Sequence, residues 1–189
     1  MQSPTMGAHP TRQVFLVGFM GAGKTSVGKA LARRLGWSFL DLDDLIEAQE
    51  KAAVRDIFTS AGEPAFRRIE NAVLNRLLLE SDDHLDTVIA LGGGAFAQPG
   101  NREVLQRHEA TTILLHAPVD ELKRRCQTDD NLRPLAQNLS GDPSRFEELF
   151  ANRRPAYDLA KLKVETSGKT IEEVAGEIEQ LLKLDRCKA

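Results

Sequence analysis

One segment of the chain constrains its fold more than any other. Residues 18–25 read GFMGAGKT, which matches the pattern GxxxxGK[ST]. An apolar run at 14–17 precedes this segment, and Val27, Leu31 and Leu35 follow it at helical spacing. A strand, a glycine-rich turn and a helix are the context in which this pattern forms a phosphate-binding loop, or P-loop. The segment therefore predicts a phosphate-binding α/β domain.

The residues of this loop have distinct expected roles. Glycines allow the backbone N–H groups and the helix N-terminus to point at phosphate oxygens. Lys24 supplies positive charge for the β- and γ-phosphates, and Thr25 offers a hydroxyl to Mg²⁺. A purely structural glycine turn is the alternative. We predict that a nucleotide is bound by Gly21, Ala22, Gly23, Lys24, Thr25 and Ser26.

Predicted strands and helices alternate along the rest of the chain. Short apolar runs indicate buried strands near 39–40, 88–91, 112–115 and 162–165, and helical stretches separate them. Strands separated by helices form right-handed crossovers and a parallel sheet that is covered on both faces. We therefore predict a three-layer α/β/α fold with a central five-stranded parallel sheet. Ligands are expected at the C-terminal ends of the strands.

A long helix is predicted after Gly62, which breaks the helical region before it. Pro64 suits the first turn of this helix. Arg67 and Glu70 are expected to stand off its apolar stripe. The stripe consists of Phe66, Ile69, Val73 and Leu77.

The last predicted helix has a recognisable start. Thr170 and Glu173 have the form of a capping box, and apolar residues follow at helical spacing.

Composition and charge exclude several functional classes. The chain has 25 basic and 28 acidic side chains, whereas proteins that bind nucleic acid usually have an excess of basic residues. No apolar run approaches the roughly 18 residues that a membrane span needs, and the N-terminus has no signal-peptide stretch. Cys126 and Cys187 form no metal-binding pattern. We predict a cytoplasmic monomer that binds small molecules, without nucleic-acid or membrane partners.

Two acidic residues follow the second predicted strand. In the segment Asp41-Leu42-Asp43, an extended or turn-like backbone would aim both carboxylates in similar directions. One acid would order water around Mg²⁺, and the other would accept a hydrogen bond or a proton from a substrate hydroxyl. Capping of the next helix by one of them is the alternative.

Three arginines and a glycine run are further candidates for the site. Arg67, Arg133 and Arg153 are far apart in sequence, but each is expected on an element that reaches the same cleft. Their forked guanidinium groups match carboxylate and phosphate oxygens, although each residue taken singly is typical of a surface position. The glycines at 92–94 follow a strand and would let the backbone approach a ligand, with a bare turn as the alternative.

Taken together, these segments resemble the shikimate kinase family. From about residue 14 to 157 the chain contains, in the family's order, GFMGAGKTSVGKALA, FLDLDDLIE, DIFTSAGEPAFRRIE, ALGGGAF, LRPLA and NRRPAYDLA. The resemblance implies a P-loop NTP-kinase fold with a mobile lid. It also implies transfer of the γ-phosphoryl group of ATP to the 3-hydroxyl of shikimate, with Mg²⁺ as cofactor. Shikimate 3-phosphate and ADP would be the products, in the biosynthesis of aromatic amino acids.

The resemblance further implies which residues take part in the chemistry. Asp43 would hold and deprotonate the attacking hydroxyl, and Asp41 would order the Mg²⁺ shell together with Thr25. Lys24 and Arg133, the arginine of the RPL lid motif, would neutralise charge on the transferred group. The predicted catalytic residues are therefore Asp43, Lys24 and Arg133, and the predicted metal ligands are Thr25 and Asp41.

Substrate binding is assigned on the same resemblance. Arg67 and Arg153 would clasp the shikimate carboxylate, and Glu70 would orient these arginines. Asp43 and the triple glycine, namely Gly92, Gly93 and Gly94, would complete the pocket.

Composition and the resemblance together predict how the chain is organised. Residues 1–12 are rich in Pro, Ser, Thr and Gly and have no periodicity, so we expect a disordered tail there. We expect a single kinase domain over 13–185, which includes a substrate-binding segment at about 42–79 and a lid at about 127–142. The arginine that stacks on adenine is either Arg124 or Arg125, and our assignment is Arg125.

Three other functions are alternatives to this one. A gluconate-type kinase would share the P-loop and an arginine clamp, but it would lack the succession of DLD, FRRIE and GGG segments. A nucleotide switch would need an NKxD segment, which the sequence does not contain. A catalytically dead binding module normally loses an acid or the loop lysine, and both are present here.

Overall fold

The computed structural model describes residues 12–79, 86–127 and 143–186. Nearly all of the predicted tail, the lid after Gln127, and Arg133 lie outside these residues. The elements are, in chain order, β1 (Gln13–Val17), α1 (Lys24–Leu35), β2 (Ser38–Asp41), α2 (Leu42–Glu50), α3 (Val54–Leu79), β3 (Thr87–Ala90), a 3₁₀ turn (Ala95–Ala97), α4 (Pro99–Arg107), β4 (Thr111–His116), α5 (Val119–Gln127), α6 (Pro143–Tyr157), β5 (Leu162–Glu165) and α7 (Ile171–Arg186).

The five strands form one parallel sheet with the order β2-β3-β1-β4-β5. The central strand β1 pairs with β3 on one side and with β4 on the other, so that Phe15 lies beside Ile89 and Thr112. Phe15 and Ile89 are fully buried, as expected for a parallel sheet with helices on both faces. The prediction of a five-stranded parallel α/β sheet is confirmed.

The strand order brings three distant sequence segments to one edge of the sheet. Strands β2, β3 and β1 are neighbours, and their C-terminal ends lead into Asp41-Leu42-Asp43, the glycines at 92–94 and the P-loop. Parallel strands place all of these ends on the same side. Ligands of open α/β sheets bind at this edge.

Helix α3 is broken near its start, as the sequence predicts. Gly62 has a φ of 78° and a ψ of 169°, which interrupts the helix, and Pro64 lies in the first turn after the break. Proline suits this position because its missing N–H would have no partner in the first turn. The second part of α3 can therefore take its own direction toward the sheet.

The face that α3 turns toward the core differs from the predicted stripe. Phe66 and Val73 are buried as expected, whereas Ile69 and Leu77 are only partly buried. The prediction that Glu70 stands off this stripe is wrong, since its side chain is only 1% exposed. The carboxylate can be buried because donors from α3 and α4 surround it, as described below.

The C-terminal helix α7 packs on α1 and begins with a capping box. The Oγ1 atom of Thr170 accepts a hydrogen bond from the Glu173 backbone N–H (3.3 Å), and the Glu173 carboxylate accepts one from the Thr170 N–H (2.7 Å). This capping box was predicted from the sequence and is confirmed. In the described part of the chain, no helix combines the length and apolar character needed to cross a bilayer.

Candidate active site

The loop between β1 and α1 has a backbone suited to phosphate binding. Gly21 and Gly23 have φ values of 77° and 88°, in the left-handed region that favours glycine. Gly23 is the N-cap of α1, and among the described residues no side chain caps this helix. The N–H groups at the start of α1 are therefore positioned to bind an anion, with the helix dipole in support.

Lys24 is buried at the start of α1. Its side-chain ammonium donates hydrogen bonds to the carbonyl oxygens of Gly18 (2.9 Å) and Phe19 (3.0 Å). These bonds hold a positive charge against the loop whose N–H groups would receive the phosphates. Ser26 lies exposed in the first turn of the helix, and Ala22 is buried in the loop.

Asp41 connects the P-loop helix to α2. One of its carboxylate oxygens accepts a hydrogen bond from the Thr25 hydroxyl (2.8 Å), and the other accepts one from the Asp43 backbone N–H (3.1 Å). The sequence left helix capping and a role at Mg²⁺ as alternatives; Asp41 is the N-cap of α2, and it also lies beside Thr25. A hydroxyl and a carboxylate oxygen next to a phosphate loop fit Mg²⁺, which takes few protein ligands and keeps phosphate oxygens and waters.

The triple glycine lies directly against charged side chains. A Cβ atom added to Gly92 would lie 2.7 Å from the Asp43 carboxylate oxygen Oδ1, and one added to Gly94 would lie 2.6 Å from Nη2 of Arg67. Real Cβ atoms do not make contacts this short. The glycines therefore leave the space that Asp43 and Arg67 occupy, and do more than form a turn.

Arg67 is held by two acids on its own helix. Its Nη1 atom donates to both oxygens of Glu70 (3.0 Å each), and its Nη2 atom donates to Glu63 (2.9 Å). Burial acts to lower the pKa of Arg67, but the attraction of Glu70 and Glu63 outweighs it and the pKa is raised. The guanidinium group therefore stays charged.

For Glu70, in contrast to Arg67, the effect of burial on the pKa outweighs the effect of the oppositely charged partner. Burial raises its pKa above the ordinary value; Arg67 opposes this shift, and the nearby charge of Asp43 adds to it. The contact between Glu70 and Arg67 is the one that the sequence analysis expected. Arg153, the other arginine of the expected pair, donates instead to the Gly93 carbonyl oxygen (3.3 Å).

Side chains of helix α6 contact both the P-loop and the triple glycine. The Tyr157 hydroxyl donates to the same Gly93 carbonyl as Arg153, and burial raises the Tyr157 pKa to about 12, so the donor proton is retained. The Phe19 ring of the P-loop meets the rings of Phe146 and Phe150 edge to face, at centroid distances of 5.1 and 5.4 Å. Sequence reasoning assigned no role to Phe19 or Tyr157.

These groups line one pocket of about 430 Å³, a volume that includes the space open to solvent at its entrance. Its charged residues are two arginines and two acids, and apolar side chains and the glycines form the rest of its wall. The pocket therefore suits a small molecule that carries a carboxylate and hydroxyl groups. The lining residues are Met20, Asp43, Val54, Phe58, Phe66, Arg67, Glu70, Gly92, Gly93, Gly94 and Arg153.

The two candidate adenine-stacking arginines differ in their surroundings. Arg125 donates to Glu121 (2.9 Å) and to the hydroxyl and carbonyl oxygens of Thr166 (3.0 Å each), which fixes it near the end of β5. The Arg124 side chain is 70% exposed and pairs with Glu121 on its own helix. The assignment of Arg125 to adenine stays a prediction.

A buried amide behind the pocket was missed by sequence reasoning. Asn101 donates to the Glu70 carboxylate (3.3 Å) and to the Ala95 carbonyl oxygen (3.0 Å). The available signal was its position three and four residues before the apolar Val104 and Leu105, which places it on the core face of α4. A polar residue on such a face needs a partner within the fold.

Comparisons with known proteins agree on one family. The family model described as shikimate kinase matches residues 20–183. The chain is 38% identical to a shikimate kinase of Chlorobium chlorochromatii, over 90% of this chain and 92% of the relative, and 42% identical to one of Chromobacterium violaceum, over 89% of each. The solved structure of a shikimate kinase from Acinetobacter baumannii in complex with shikimate superimposes with a TM-score of 0.83 at 36% identity, covering 96% of this chain and 98% of that one.

Proposed function

Since the chain belongs to the shikimate kinase family, we propose how its own residues transfer the γ-phosphoryl group of ATP to the 3-hydroxyl of shikimate. The chain is an ATP-dependent phosphotransferase with an alcohol acceptor, and its product enters aromatic amino-acid biosynthesis. The observation that carries the residue assignments is the pocket beside the P-loop, which has Asp43, Arg67 and Arg153 in its wall.

The two arginines bind the shikimate carboxylate. Guanidinium groups recognise carboxylates through paired N–H donors, and Arg67 keeps its charge next to Glu70. Arg153 is buried against the Phe19 ring and the Gly93 carbonyl, which limits its side-chain freedom. The ring of the substrate would pack on the apolar part of the wall, which includes Phe58.

Asp43 positions the nucleophile and takes its proton. The 3-hydroxyl donates a hydrogen bond to the Asp43 carboxylate and transfers its proton there as its oxygen attacks the γ-phosphorus of ATP. The bond between this phosphorus and the β,γ-bridging oxygen breaks, and ADP leaves. In support, the Asp43 carboxylate lies against Gly92 at the end of β3, on the wall of the same pocket.

The nucleotide is bound by the P-loop. Backbone N–H groups of 21–26 would receive the phosphate oxygens, and Lys24 would neutralise charge as it shifts to the bridging oxygen. Arg133 is proposed to add a second positive charge over the phosphates, and Arg125 to stack on adenine. Positioning and electrostatic stabilisation provide most of the rate enhancement in this type of reaction.

Thr25 and Asp41 would hold Mg²⁺ through their side-chain oxygens. Bound Mg²⁺ supplies positive charge to the phosphate oxygens. The chain's contribution is the arrangement of the two oxygens, which are 2.8 Å apart next to the loop. Monomeric state and cytoplasmic location stay predictions from the sequence.

Coupled ADP release with purified protein, Mg²⁺ and ATP tests these assignments. We expect turnover with shikimate, none with gluconate, and little ATP hydrolysis without an acceptor. Asp43→Asn should lower kcat by roughly 10²–10⁴-fold, the usual contribution of a general base, with ATP binding retained. Asp44→Asn is the matched control, because Asp44 is the exposed neighbour of Asp43 on the same helix. Equal turnover with gluconate, or a fully active Asp43→Asn variant, would contradict the proposal.

A further inference from the structure

Asn101 is fully buried at the start of α4. Both N–H groups and the oxygen of its side-chain amide make hydrogen bonds. The two Nδ2 protons go to the Ala95 carbonyl (3.0 Å) and to the Glu70 carboxylate (3.3 Å), while Oδ1 accepts from the Asn71 side chain (2.7 Å). Because each partner requires a defined donor or acceptor, only one orientation of the amide satisfies all of them.

The carboxyl group that Asn101 contacts is itself buried. Glu70 is 1% exposed, and the charged groups that face it are Arg67 on the same helix and Asp43 on α2. A buried carboxylate is costly unless donors hold it. Arg67 supplies donors from one side, and Asn101 supplies a neutral donor from a different helix, so the position of Glu70 is fixed from two directions.

We propose that Asn101 is a positioning residue for shikimate binding, which holds the Glu70 carboxylate in the orientation that aligns the Arg67 guanidinium group with the pocket. Because the side chain is fully buried, it acts through Glu70 and does not touch the substrate. Its second bond, to Ala95, anchors the chain directly after Gly94, against which Arg67 lies. Asn101 thus supports both the arginine, through Glu70, and the glycine loop, through Ala95.

This inference rests on the proposed role of Arg67 in binding the shikimate carboxylate. A merely structural role for Asn101 predicts something different, namely a loss of stability with shikimate and ATP affinities affected alike. A positioning role predicts that the change is confined to shikimate, since the described bonds of Asn101 go to Asn71, Ala95 and Glu70, and these residues lie outside the P-loop. Steady-state kinetics with both substrates varied separates the two.

The main variant is Asn101→Leu, which keeps the approximate volume and removes the donors. We expect the KM for shikimate to rise about tenfold, the usual effect of losing a hydrogen bond to a charged group. The KM for ATP should not change. Asn75→Leu is the matched control. Asn75 donates to Asn71, which in turn donates to Asn101, so it belongs to the same set of hydrogen-bonded amides. Its shikimate KM should equal that of the wild type.

A second variant, Asn101→Asp, gives a readout that depends on pH. When ionised, the new carboxylate repels Glu70 and lacks a donor; when protonated, its O–H can donate to Glu70 in place of the amide. The ratio of variant to wild-type kcat/KM for shikimate should therefore rise as the pH is lowered. Asp43 and Arg67, the other charged groups that face Glu70, are present in both proteins and therefore do not distinguish the variant from the wild type.

Each outcome decides the question. A raised shikimate KM in Asn101→Leu and a deficit of Asn101→Asp that shrinks at low pH support the proposal. An unchanged shikimate KM, equal changes for both substrates, or a pH-independent Asn101→Asp deficit overturns it. The Asp variant decides alone if the Leu variant does not fold.

Arg67→Lys is measured in parallel: if it raises the shikimate KM while the Asn101 variants do not, only the inference fails. If Arg67→Lys also has no effect, the proposed role of Arg67 fails as well.

Discussion

At the scale of single residues, two glycines determine where charged groups can lie. Gly92 leaves room for the Asp43 carboxylate, and Gly94 leaves room for the Arg67 guanidinium group. Neither glycine has a positive φ, so the requirement is space and not backbone conformation. Substitutions at the two positions should therefore displace two different groups, namely Asp43, the proposed base, and Arg67, the proposed carboxylate-binding residue.

We predict that alanine at these two positions has different kinetic effects. Gly92→Ala should displace Asp43 and lower kcat, because the added Cβ would lie 2.7 Å from its carboxylate oxygen. Gly94→Ala should displace Arg67 and mainly raise the shikimate KM, because its Cβ would lie 2.6 Å from Nη2. We expect each change to be roughly tenfold or more, as small misplacements of positioned groups can cost about 10²-fold. Steady-state kinetics measures both.

Gly100→Ala is the control for this pair. The nearest atom to a Cβ there is the Asn71 side-chain nitrogen at 3.6 Å, an ordinary contact, so activity should be that of the wild type. Identical kinetic changes in Gly92→Ala and Gly94→Ala would count against separate roles for Asp43 and Arg67.

Glu70 allows a prediction of how stability depends on pH. Burial raises its pKa in the folded protein, so the fold favours the protonated form. Its contribution to stability is therefore present below the unfolded pKa and is lost as the pH rises through the folded pKa. Glu70→Gln cannot ionise, and the free energy of unfolding of the wild type relative to this variant should fall as the pH rises.

Urea unfolding of both proteins between about pH 4 and pH 8 measures this difference. If the wild type instead gains stability relative to Glu70→Gln as the pH rises, the ion pair with Arg67 outweighs burial. Shikimate binding should be weaker in the variant at every pH, because Arg67 loses the acid that orients it.

At the scale of the elements, the capping box of α7 lies away from the pocket and tests stability alone. Thr170→Ala removes one half of the reciprocal pair with Glu173. The expected loss is about 1 kcal/mol in the free energy of unfolding, or roughly 2–4 °C in Tm for a chain of this size. Thermal unfolding measures it, and Thr170→Ser should stay close to the wild type. A changed shikimate KM in Thr170→Ala would show that α7 is coupled to the site.

At the scale of the whole molecule, the pocket is assembled from α2, α3, α6 and the loops after β1 and β3. A ligand that contacts so many elements binds the folded chain and not the unfolded one. Binding should therefore stabilise the entire domain through mass action.

We predict that shikimate raises the Tm of the protein in the absence of ATP. At a concentration of about 100 Kd, the stabilisation is roughly 2.7 kcal/mol. Arg153→Gln should reduce the shift strongly, because it removes one of the two guanidinium groups in the pocket. Differential scanning fluorimetry with shikimate and gluconate makes the comparison. A gluconate shift as large as the shikimate shift would point to a less selective site for small acids.

The sequence alone determined the parts of this protein that depend on local patterns. The P-loop, the alternation of strands and helices, the break at Gly62 and the capping box of α7 each arise from residues close together in the chain. Spacing and residue type are therefore enough to predict them. The resemblance named Asp43, Arg67 and Arg153, and the parallel strand order explains how they reach one pocket.

Only the tertiary structure decided which polar groups are buried and what holds them. Glu70 was expected off the core face, and it is buried with donors from Arg67 on its own helix and from Asn101, 31 residues away. The bond from Tyr157 to Gly93 spans 64 residues, and the Phe19 ring is enclosed by side chains of α6. Burial of a polar group depends on partners from distant segments, and a one-dimensional pattern does not contain the packing that brings these segments into contact.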